Sequence, residues 1–322
     1  MTDAAPWAWI VALALGVEAV LGYPAWLHRL APHPVAWPAT LIEDLERRWN
    51  RPDLSDDRRR LSGVVVVAIL IGVAVSLGAI LHGILGDSLP SLAIIALIAT
   101  VGLAQRSLYQ HVVAVLVPLR AGDLPAARAA VSRIVGRDTA ELDAAEIAAA
   151  ALESLAESFN DGVVAPAFWL LVGGLPGLFA YKAVNTADSL IGHREPRWRM
   201  FGWGAARTDD LMNLPPARLA GVLLVLAAGQ RRGLAWRTMR RDARLHASPN
   251  AGWPEAAMAG ALGVGLGGAA RYDGVVAARP AFGDGPAPSV EDLERGLAIY
   301  RRACALLWVI PLALGTATLL AR

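Results

Sequence analysis

The strongest constraint in the sequence is the apolar run at residues 63–85, whose only ionisable side chain is His82. As a helix rising ~1.5 Å per residue, this run is long enough to cross the ~30 Å hydrocarbon core of a bilayer. The whole chain of 322 residues is 55% hydrophobic and only 18% charged, which is too apolar for an ordinary soluble domain. We therefore predict an all-α, polytopic integral membrane protein, organised as a single membrane-embedded domain over residues 1–322.

Further apolar runs extend the predicted membrane domain. Residues 7–21 are expected to form a retained first helix, because no basic residue precedes them as in a cleaved signal peptide. Glu18 lies inside this helix and should face the protein interior. A second span begins at Leu92, and a last span covers residues 303–320. Hydropathy predicts roughly five to seven membrane-embedded segments in all.

Basic residues predict the orientation of the hairpin formed by the two spans around residues 86–91. Residues 58–60 are arginines that precede the hairpin, and Arg106 and Arg120 follow it, whereas its turn carries no basic residue. The positive-inside bias then places both flanks in the cytoplasm. We expect a multi-pass protein of the bacterial inner (cytoplasmic) membrane with cytoplasmic helical loops.

The apolar segment at residues 163–181 is predicted to contain broken or re-entrant helices. Pro166 and the sequence GGLPG interrupt it, and such breaks occur at membrane depth only where the backbone is buried in protein or lines a cavity. Residues 219–228 are apolar but short for a span, and a strongly basic segment follows. If residues 219–228 crossed alone, the basic segment could lie outside, against the positive-inside bias. The apolar segments 163–181 and 219–228 therefore either cross as a pair or both fail to cross.

Local signals predict several helix boundaries. A helix is expected only after Pro38, and Asp123 is expected to cap another. Asp138 or Thr139 is expected to open the helix that follows. Residues 271–289 are predicted to be a loop rich in glycine and proline.

Composition excludes several classes of function. The formal net charge of +2 gives no strong basic field for nucleic acid. The single cysteine, Cys304, excludes a disulfide within the chain and a cysteine-based zinc site. The six histidines show no HExxH spacing.

Acidic residues at one-turn spacing mark the entrance to the broken apolar segment. Glu153, Glu157 and Asp161 recur at i, i+4 and i+8, so they share one helix face, with Asn160 beside it. Three such acids repel one another unless a cation lies there, and carboxylates at the mouth of a membrane segment usually have a function. The alternative is a solvated helix face that carries acids by chance.

A second polar face follows the apolar segment and reduces the weight of that alternative. Asn185, Asp188 and Ser189 share a face at i, i+3 and i+4. Lys182 lies one turn before them, and His193 comes just after them. The repeated arrangement favours a functional site.

Basic residues form two further groups, each with two interpretations. Arg133, Arg137 and Asp138 form a charged corner that is either a solvated helix end or a contact for phosphate. Four arginines recur on one predicted helix face after residue 230: Arg237, Arg240, Arg241 and Arg244. This face either lies at the anionic lipid surface or binds phosphate or carboxylate groups.

Long motifs in the second half of the chain carry a resemblance to a known family. The motifs are ESFNDGVVAP, GGLPGLFAYKAVNTADSLIGHR, FGWGAARTDDLMNLPPARL and SPNAGWPEAAMAGALG. They resemble the adenosylcobinamide-phosphate synthases, the membrane proteins called CbiB or CobD of cobalamin biosynthesis. The chain departs from the family's Gly-Asp-Pro at Gly22-Tyr23-Pro24, where the acid is missing, whereas His33 of the HPV motif is kept.

The resemblance implies an ATP-dependent ligase that joins adenosylcobyric acid to (R)-1-amino-2-propanol or its O-phosphate, giving adenosylcobinamide (phosphate). Its partners would be the corrinoid, ATP, aminopropanol (phosphate) and the lipid bilayer, with no nucleic acid. Association with other membrane enzymes of the corrinoid pathway is a further open expectation. No Walker A sequence is present, so ATP would be held by arginines and by acids through Mg²⁺.

Candidate residues for this chemistry come from the polar motifs. The catalytic candidates are Glu153, Glu157, Asp161, Asp188 and Asp209. The candidate ligands of Mg²⁺ are Glu157, Asp161, Asp188, Asp209 and Asp210, because hard cations prefer oxygen ligands. The substrate-binding candidates are Arg133, Arg137, Asn160, Lys182, Asn185, Ser189, His193, Arg207, Arg240, His246, Asn250, Trp253 and Glu255. A purely structural role for any single acid stays open.

The predicted mechanism activates a propionate of the corrin as an acyl phosphate, which the amine then attacks while a carboxylate takes its proton. Which acid is the base is left open. Two other classes are also left open. One is a non-catalytic membrane sensor like the AmpE proteins, favoured by Tyr23 in place of the usual acid. The other is a small-molecule transporter with acids in broken helices.

Overall fold

The structure is a computed structural model that describes residues 4–22, 36–193 and 195–321. Tyr23 and His33, on which two of the sequence expectations depend, lie outside these ranges. The described chain is almost entirely helical, which confirms the all-α prediction. Its helices are α1 (Ala4–Leu21), α2 (Ala36–Trp49), α3 (Asp56–Leu85), α4 (Leu89–Ala99), α5 (Gln105–Arg120), α6 (Leu124–Val131), α7 (Ala144–Phe159), α8 (Ala165–Ile191), α9 (Trp203–Met212), α10 (Leu214–Ala227), α11 (Arg232–Asp242), α12 (Gly252–Leu262) and α13 (Val290–Leu320).

Four short strands lie in and just before the segment 271–289, which was predicted to be a loop. They are β1 (Leu266–Gly267), β2 (Ala270–Tyr272), β3 (Val275–Ala277) and β4 (Ala281–Phe282). β2 and β3 form an antiparallel hairpin, and β1 pairs with β4. The prediction of an irregular loop over residues 271–289 was therefore wrong in part, because glycines at positive φ, such as Gly274 at 79°, make tight turns that let short strands pair.

Several helices are long and apolar enough to cross a membrane. By length and composition they are the segments Asp56–Leu85, Leu89–Arg120, Ala144–Ile191 and Val290–Leu320. α9 and α10 together form a fifth candidate that is bent by 49°, as a broken span or a re-entrant loop would be. These findings support a multi-pass membrane protein. The four or five candidates among the described residues reach only the lower end of the predicted number, and the orientation stays a prediction.

Two predicted helix starts were wrong. α2 begins at Ala36 and includes Pro38 in its first turn, where the missing N–H of proline needs no partner. α7 begins after Asp143 rather than after Asp138, because Asp143 and Glu146 form a reciprocal capping box. Asp138 instead accepts a hydrogen bond from the Gly274 N–H at 2.8 Å. The predicted cap at Asp123 is confirmed by its bond from the Ala126 N–H at 3.0 Å.

The chain divides into two compact units and passes between them four times. Unit 1 consists of residues 1–104, 165–213 and 310–322, and unit 2 of residues 105–164 and 214–309. Its organisation as one membrane-embedded domain stays a prediction.

Unit 1 packs α2, α8 and α9 around α3. Its core includes the buried side chains of Ile42, Val66, Leu70, Val184 and Phe201. α8 is broken at Gly174, whose backbone has a φ of 62° and is not helical, so the predicted break at GGLPG is confirmed. α1 lies in this unit, and its Glu18 is only 2% exposed, as predicted.

Unit 2 is built on α7 and α12, which pack against each other; α7 also packs against α5, α6 and β1, and α12 against α10, α11, β1 and β4. Phe159 at the end of α7 meets Tyr300 of α13 edge to face, with ring centroids 5.5 Å apart. A π-helical turn at Asn160–Val164 follows α7 directly. Such turns shift the helical register and are frequent at functional sites.

Candidate functional site

Most of the predicted site residues fall into two clusters, one within each unit. The unit 1 cluster lies on the second half of α8 and on α9. The unit 2 cluster lies on α7, on α12 and in the loops before α7 and around β1–β4.

Asp209 is the centre of the unit 1 cluster. Its Oδ2 accepts a hydrogen bond from the Asn213 side-chain amide at 2.9 Å, and its Oδ1 accepts one from the Asn185 amide at 3.4 Å. The Tyr181 hydroxyl lies 3.2 Å from Oδ1 of Asn213 and so fixes that amide. The Asp209 carboxylate is therefore held by two side-chain amides, that of Asn185 on α8 and that of Asn213 directly after α9.

Asp188 brings further charge to this cluster. It interacts electrostatically with Asp209 and Asp210, which repel its carboxylate, and with His193 and Arg207, which attract it. Arg207 forms an ion pair with Asp210 at 3.0 Å. Three acids and one guanidinium thus share a small region of unit 1.

The remaining predicted residues of unit 1 lie on or beside α8. Lys182 donates a hydrogen bond to Oδ1 of Asn185 at 3.3 Å, and the Ser189 hydroxyl donates to the Asn185 carbonyl at 2.9 Å. His193 is exposed, with its ring 5.5 Å from that of Trp198. Lys182 also lines an apolar cavity of about 680 Å³ together with side chains of α3 and the adjoining part of α8.

Glu153 is the centre of the unit 2 cluster, and only 4% of its side chain is exposed. Its Oε1 accepts the Gly267 N–H at 2.9 Å. Its Oε2 forms ion pairs with both Arg137 and Arg279, the latter at 3.1 Å. Both carboxylate oxygens are thus held by donors that come from elsewhere in the fold, as a buried carboxylate requires.

Glu255 lies beside the Glu153–Arg279 ion pair and is 1% exposed. His246 Nε2 is 3.7 Å from one of its oxygens, and Arg279 Nη2 is 4.0 Å from the other. The Ser248 N–H donates to His246 Nδ1 at 2.9 Å, so Nδ1 is unprotonated and the imidazole proton is on Nε2, towards Glu255. Burial, followed by the charges of Glu157 and Glu153, raises the pKa of Glu255 well above its ordinary value.

The three acids predicted on one helix face differ in environment. Glu153 is buried, whereas Glu157 is exposed. Asp161 lies in the π-helical turn, where its Oδ1 accepts a hydrogen bond from the neighbouring Asn160 amide at 2.7 Å. The shared face of these three acids stays a prediction, and their spacing did not predict their different burial.

Other predicted residues of unit 2 lie apart from the Glu153 contacts. Arg133 is exposed after the end of α6, and the Arg240 guanidinium lies 5.7 Å from the centre of the Trp236 ring. Asn250 is buried, and its Oδ1 accepts from Arg218 at 2.6 Å. The same Arg218 lies 4.8 Å over the Trp253 ring.

Sequence reasoning missed Arg279 and Arg218. Arg279 lies in the segment between β3 and β4, and no periodicity marks it. The only signal was indirect, because a helix that carries several acids needs cations from elsewhere. Arg137, which was predicted, also lines a cavity of about 830 Å³ together with residues of the 138–149 and 267–276 segments.

No group of three or more His, Cys, Asp or Glu side chains could hold a metal ion within residues 4–22, 36–193 and 195–321. The acids of the two clusters are oxygen donors of the type that Mg²⁺ accepts. Mg²⁺ usually binds through one or two carboxylates together with phosphates of the substrate. The predicted metal ligands therefore stay a prediction.

Comparison with known proteins agrees with the motifs that form these clusters. The family model described as CobD/Cbib protein matches residues 11–300. The chain belongs to the CobD/Cbib family. All predicted site residues, from Arg133 to Glu255, lie within the matched range.

Individual relatives are similar over nearly their whole length. The chain is 51% identical to a protein of Rhodobacter capsulatus named cobalamin biosynthesis protein CobD, with 92% of this chain and 93% of that protein covered. It is 46% identical to the CobD protein of a Sinorhizobium species, with 95% and 97% covered. It is 45% identical to that of Rhizobium meliloti strain 1021, with 92% and 94% covered. No solved structure matches the chain.

Proposed function

We propose that this protein is an adenosylcobinamide-phosphate synthase that acts in cobalamin biosynthesis at the bacterial inner membrane. It would join adenosylcobyric acid to (R)-1-amino-2-propanol or its O-phosphate in an ATP-dependent reaction. The observation that carries the proposal is the similarity to CobD proteins, at 51% identity over 92% of this chain for the Rhodobacter capsulatus relative. The buried carboxylate–guanidinium cluster of unit 2 supports it, because such groups are costly to maintain without a function.

The proposed reaction has two steps, phosphorylation of the propionate and attack by the amine. A propionate oxygen of the corrin attacks the γ-phosphorus of ATP, ADP leaves, and an acyl phosphate forms. The amine nitrogen then attacks the acyl carbon, inorganic phosphate leaves, and a carboxylate of the protein accepts the proton from nitrogen. Amide formation is thereby coupled to cleavage of ATP into ADP and phosphate.

The unit 1 cluster offers the groups needed for the nucleotide. Asp188, Asp209 and Asp210 provide carboxylate oxygens that could hold Mg²⁺, which when bound would neutralise phosphate charge. Arg207 is exposed and adjacent to these acids, so it could bind a phosphate bidentately. Asn185 and Asn213 would keep the Asp209 carboxylate in one orientation.

The unit 2 cluster offers groups of both signs. Arg137 and Arg279 neutralise Glu153, so in this proposal Glu153 anchors the two guanidinium groups. Glu157, which is exposed, and Asp161 are then the acids of α7 and its π-helical turn that are best placed to contact substrate. The cavity beside Arg137 is a candidate site for polar parts of a substrate.

Complementation in a bacterial strain that lacks its own synthase tests the proposed function. The expected result is growth that depends on cobalamin made from supplied adenosylcobyric acid. The strain carrying an empty vector and a strain carrying the Rhodobacter capsulatus relative are the controls. Failure of this protein to restore growth, although it is present in the membrane and the relative restores growth, would favour a sensor without catalytic activity.

A further inference from the structure

The buried carboxylate of Glu255 lacks a direct partner on one of its oxygens. Its side chain is 1% exposed, and Oε2 accepts no hydrogen bond from any residue that the structure describes. The Arg279 Nη2 atom is 4.0 Å from this oxygen, which is beyond hydrogen-bond distance. A buried polar oxygen without a hydrogen-bond donor is costly, so this oxygen marks a place for a ligand that brings a donor.

The neighbouring cations are already engaged by another acid. Arg137 and Arg279 both form ion pairs with Oε2 of Glu153. His246 presents its Nε2–H towards the other oxygen of Glu255, Oε1, at 3.7 Å. The negative charges of Glu157 and Glu153 act on Glu255 more strongly than the positive charges of Arg279 and Arg137, so the surroundings of Oε2 favour a cation that brings its own N–H donors.

We propose that Glu255 binds the ammonium group of the amine co-substrate, with Oε2 as the main acceptor. This inference rests on the proposed amide-forming function and assigns one of its binding subsites. An ammonium group is compact and carries three N–H donors, whereas a guanidinium is a larger planar group with a fixed fork of donors.

A metal ion fits this place less well than an ammonium group. Mg²⁺ usually keeps several of its water ligands when it binds a protein, whereas Glu255 is only 1% exposed. An ammonium group carries its own three N–H donors, and the carboxylate oxygens of Glu255 and Glu157 can accept them.

Direct binding of the amine, without ATP or corrinoid, tests the proposal. The probes are (R)-1-amino-2-propanol O-phosphate and the analogue with a hydroxyl in place of the amino group, titrated calorimetrically into the purified full-length protein in detergent. The wild type is expected to bind the amine about 10-fold or more tightly than the hydroxyl analogue. Equal affinity for the two probes, or no binding of the amine, would overturn the proposal without the need for any variant.

Substitution of Glu255 then assigns the preference to this residue. Glu255→Gln keeps the size of the side chain but removes its charge, and it is expected to abolish the preference for the amine. The matched control is Glu294→Gln in the same unit, because Glu294 is 55% exposed and pairs with Arg120 at the surface; it should leave the preference unchanged. A folded Glu255→Gln protein that still prefers the amine would contradict the assignment.

A second variant covers the case in which Glu255→Gln does not fold. Glu255→Asp retains the charge on a shorter side chain, so it should bind the amine more weakly and still prefer it over the hydroxyl analogue. Loss of Mg²⁺ binding in Glu255→Asp with unchanged affinity for the amine would instead assign Glu255 to a metal site and overturn the proposal. These titrations measure binding and need no turnover. A protein that forms no amide can therefore still prefer the amine, and a protein that forms the amide can still show no such preference.

Discussion

The guanidinium of Arg279 lies 3.1 Å from Oε2 of Glu153, and both side chains are largely buried. The two residues are 126 positions apart in the sequence, so this ion pair ties the strand segment of unit 2 to α7. Such a pair is sensitive to the loss of either partner, because the remaining charge stays buried.

Replacement of Arg279 should therefore destabilise the protein. We expect Arg279→Ala to lower the free energy of unfolding by about 2–4 kcal/mol, since Arg137 still neutralises part of the Glu153 charge. Thermal unfolding in detergent measures this effect. Arg120→Ala is the control, because Arg120 and Glu294 form a pair that is more than half exposed and contributes only about 0–1 kcal/mol. If the two substitutions lowered the free energy of unfolding equally, the buried pair would stabilise unit 2 no more than an exposed pair does.

The acids of the proposed site should matter for activity through their charge. Asp161→Asn, Asp188→Asn and Asp209→Asn each keep the size of the side chain, and each should lower the rate of amide formation by ~10²-fold or more. The measurement is the initial rate at saturating substrates for variants that unfold at the wild-type temperature. Asp87→Asn is the matched control, since Asp87 is 78% exposed in the turn before α4. Wild-type rates for all three variants would refute the acidic site.

The sequence singled out the acids of the proposed site but did not predict what surrounds them. Asp188 and Asp209 stood out because acids are rare beside apolar segments, and Glu18 was correctly expected to be buried for the same reason. Spacing could not show that Glu153 is enclosed by Arg137, Arg279 and the Gly267 N–H, because these partners come from distant parts of the chain.

Helix boundaries show the same division between local and tertiary information. The cap at Asp123 and the break at GGLPG depend on local chemistry, and both were predicted correctly. Asp138 was expected to open a helix, and this was wrong. Its carboxylate instead accepts a hydrogen bond from the Gly274 N–H in the strand segment. That contact depends on tertiary packing, which competes with local capping preferences.

Gly192 should be needed for the position of the Asp188 carboxylate. A Cβ at residue 192 would lie 1.9 Å from Oδ1 of Asp188 and 2.6 Å from its backbone oxygen, so Gly192→Ala must displace this side chain. Displacement of a reacting or metal-binding group by about 1 Å can cost ~10²-fold in rate. We expect amide formation to fall towards that of Asp188→Asn while the protein stays folded.

The control for this substitution is Gly83→Ala, because no atom lies within 4 Å of a Cβ at residue 83. It should retain the wild-type rate. An active Gly192→Ala variant would indicate that the orientation of Asp188 is not important for the reaction.

Asp242 predicts a dependence of stability on pH. Asp242 accepts hydrogen bonds from Arg241 and from the Gly283 N–H, and these lower its pKa below the ordinary value of 3.8. The bonds from Arg241 have the largest effect and outweigh the opposing effect of burial. The stability that Asp242 contributes is therefore present above pH 3.8 and is lost as the pH falls through its lower pKa in the folded protein. Asp242→Asn should lower the unfolding temperature at neutral pH, and the difference from the wild type should shrink in strong acid.

Asp284→Asn is the matched control for Asp242. Asp284 contacts the same guanidinium of Arg241 but is 79% exposed, whereas Asp242 is 5% exposed. Its replacement should change the unfolding temperature little at any pH. A difference between Asp242→Asn and the wild type that grows as the pH falls would contradict the sign of the lowered pKa.

Amide formation by the purified protein tests the central claim most directly. The protein in detergent or lipid nanodiscs is incubated with adenosylcobyric acid, (R)-1-amino-2-propanol O-phosphate, ATP and Mg²⁺, and the corrinoids are separated and identified by mass spectrometry. The account predicts adenosylcobinamide phosphate, formed together with ADP and phosphate and absent when ATP or the amine is left out. Unchanged adenosylcobyric acid after incubation with folded protein, under conditions in which the Rhodobacter capsulatus relative forms the amide, would contradict it.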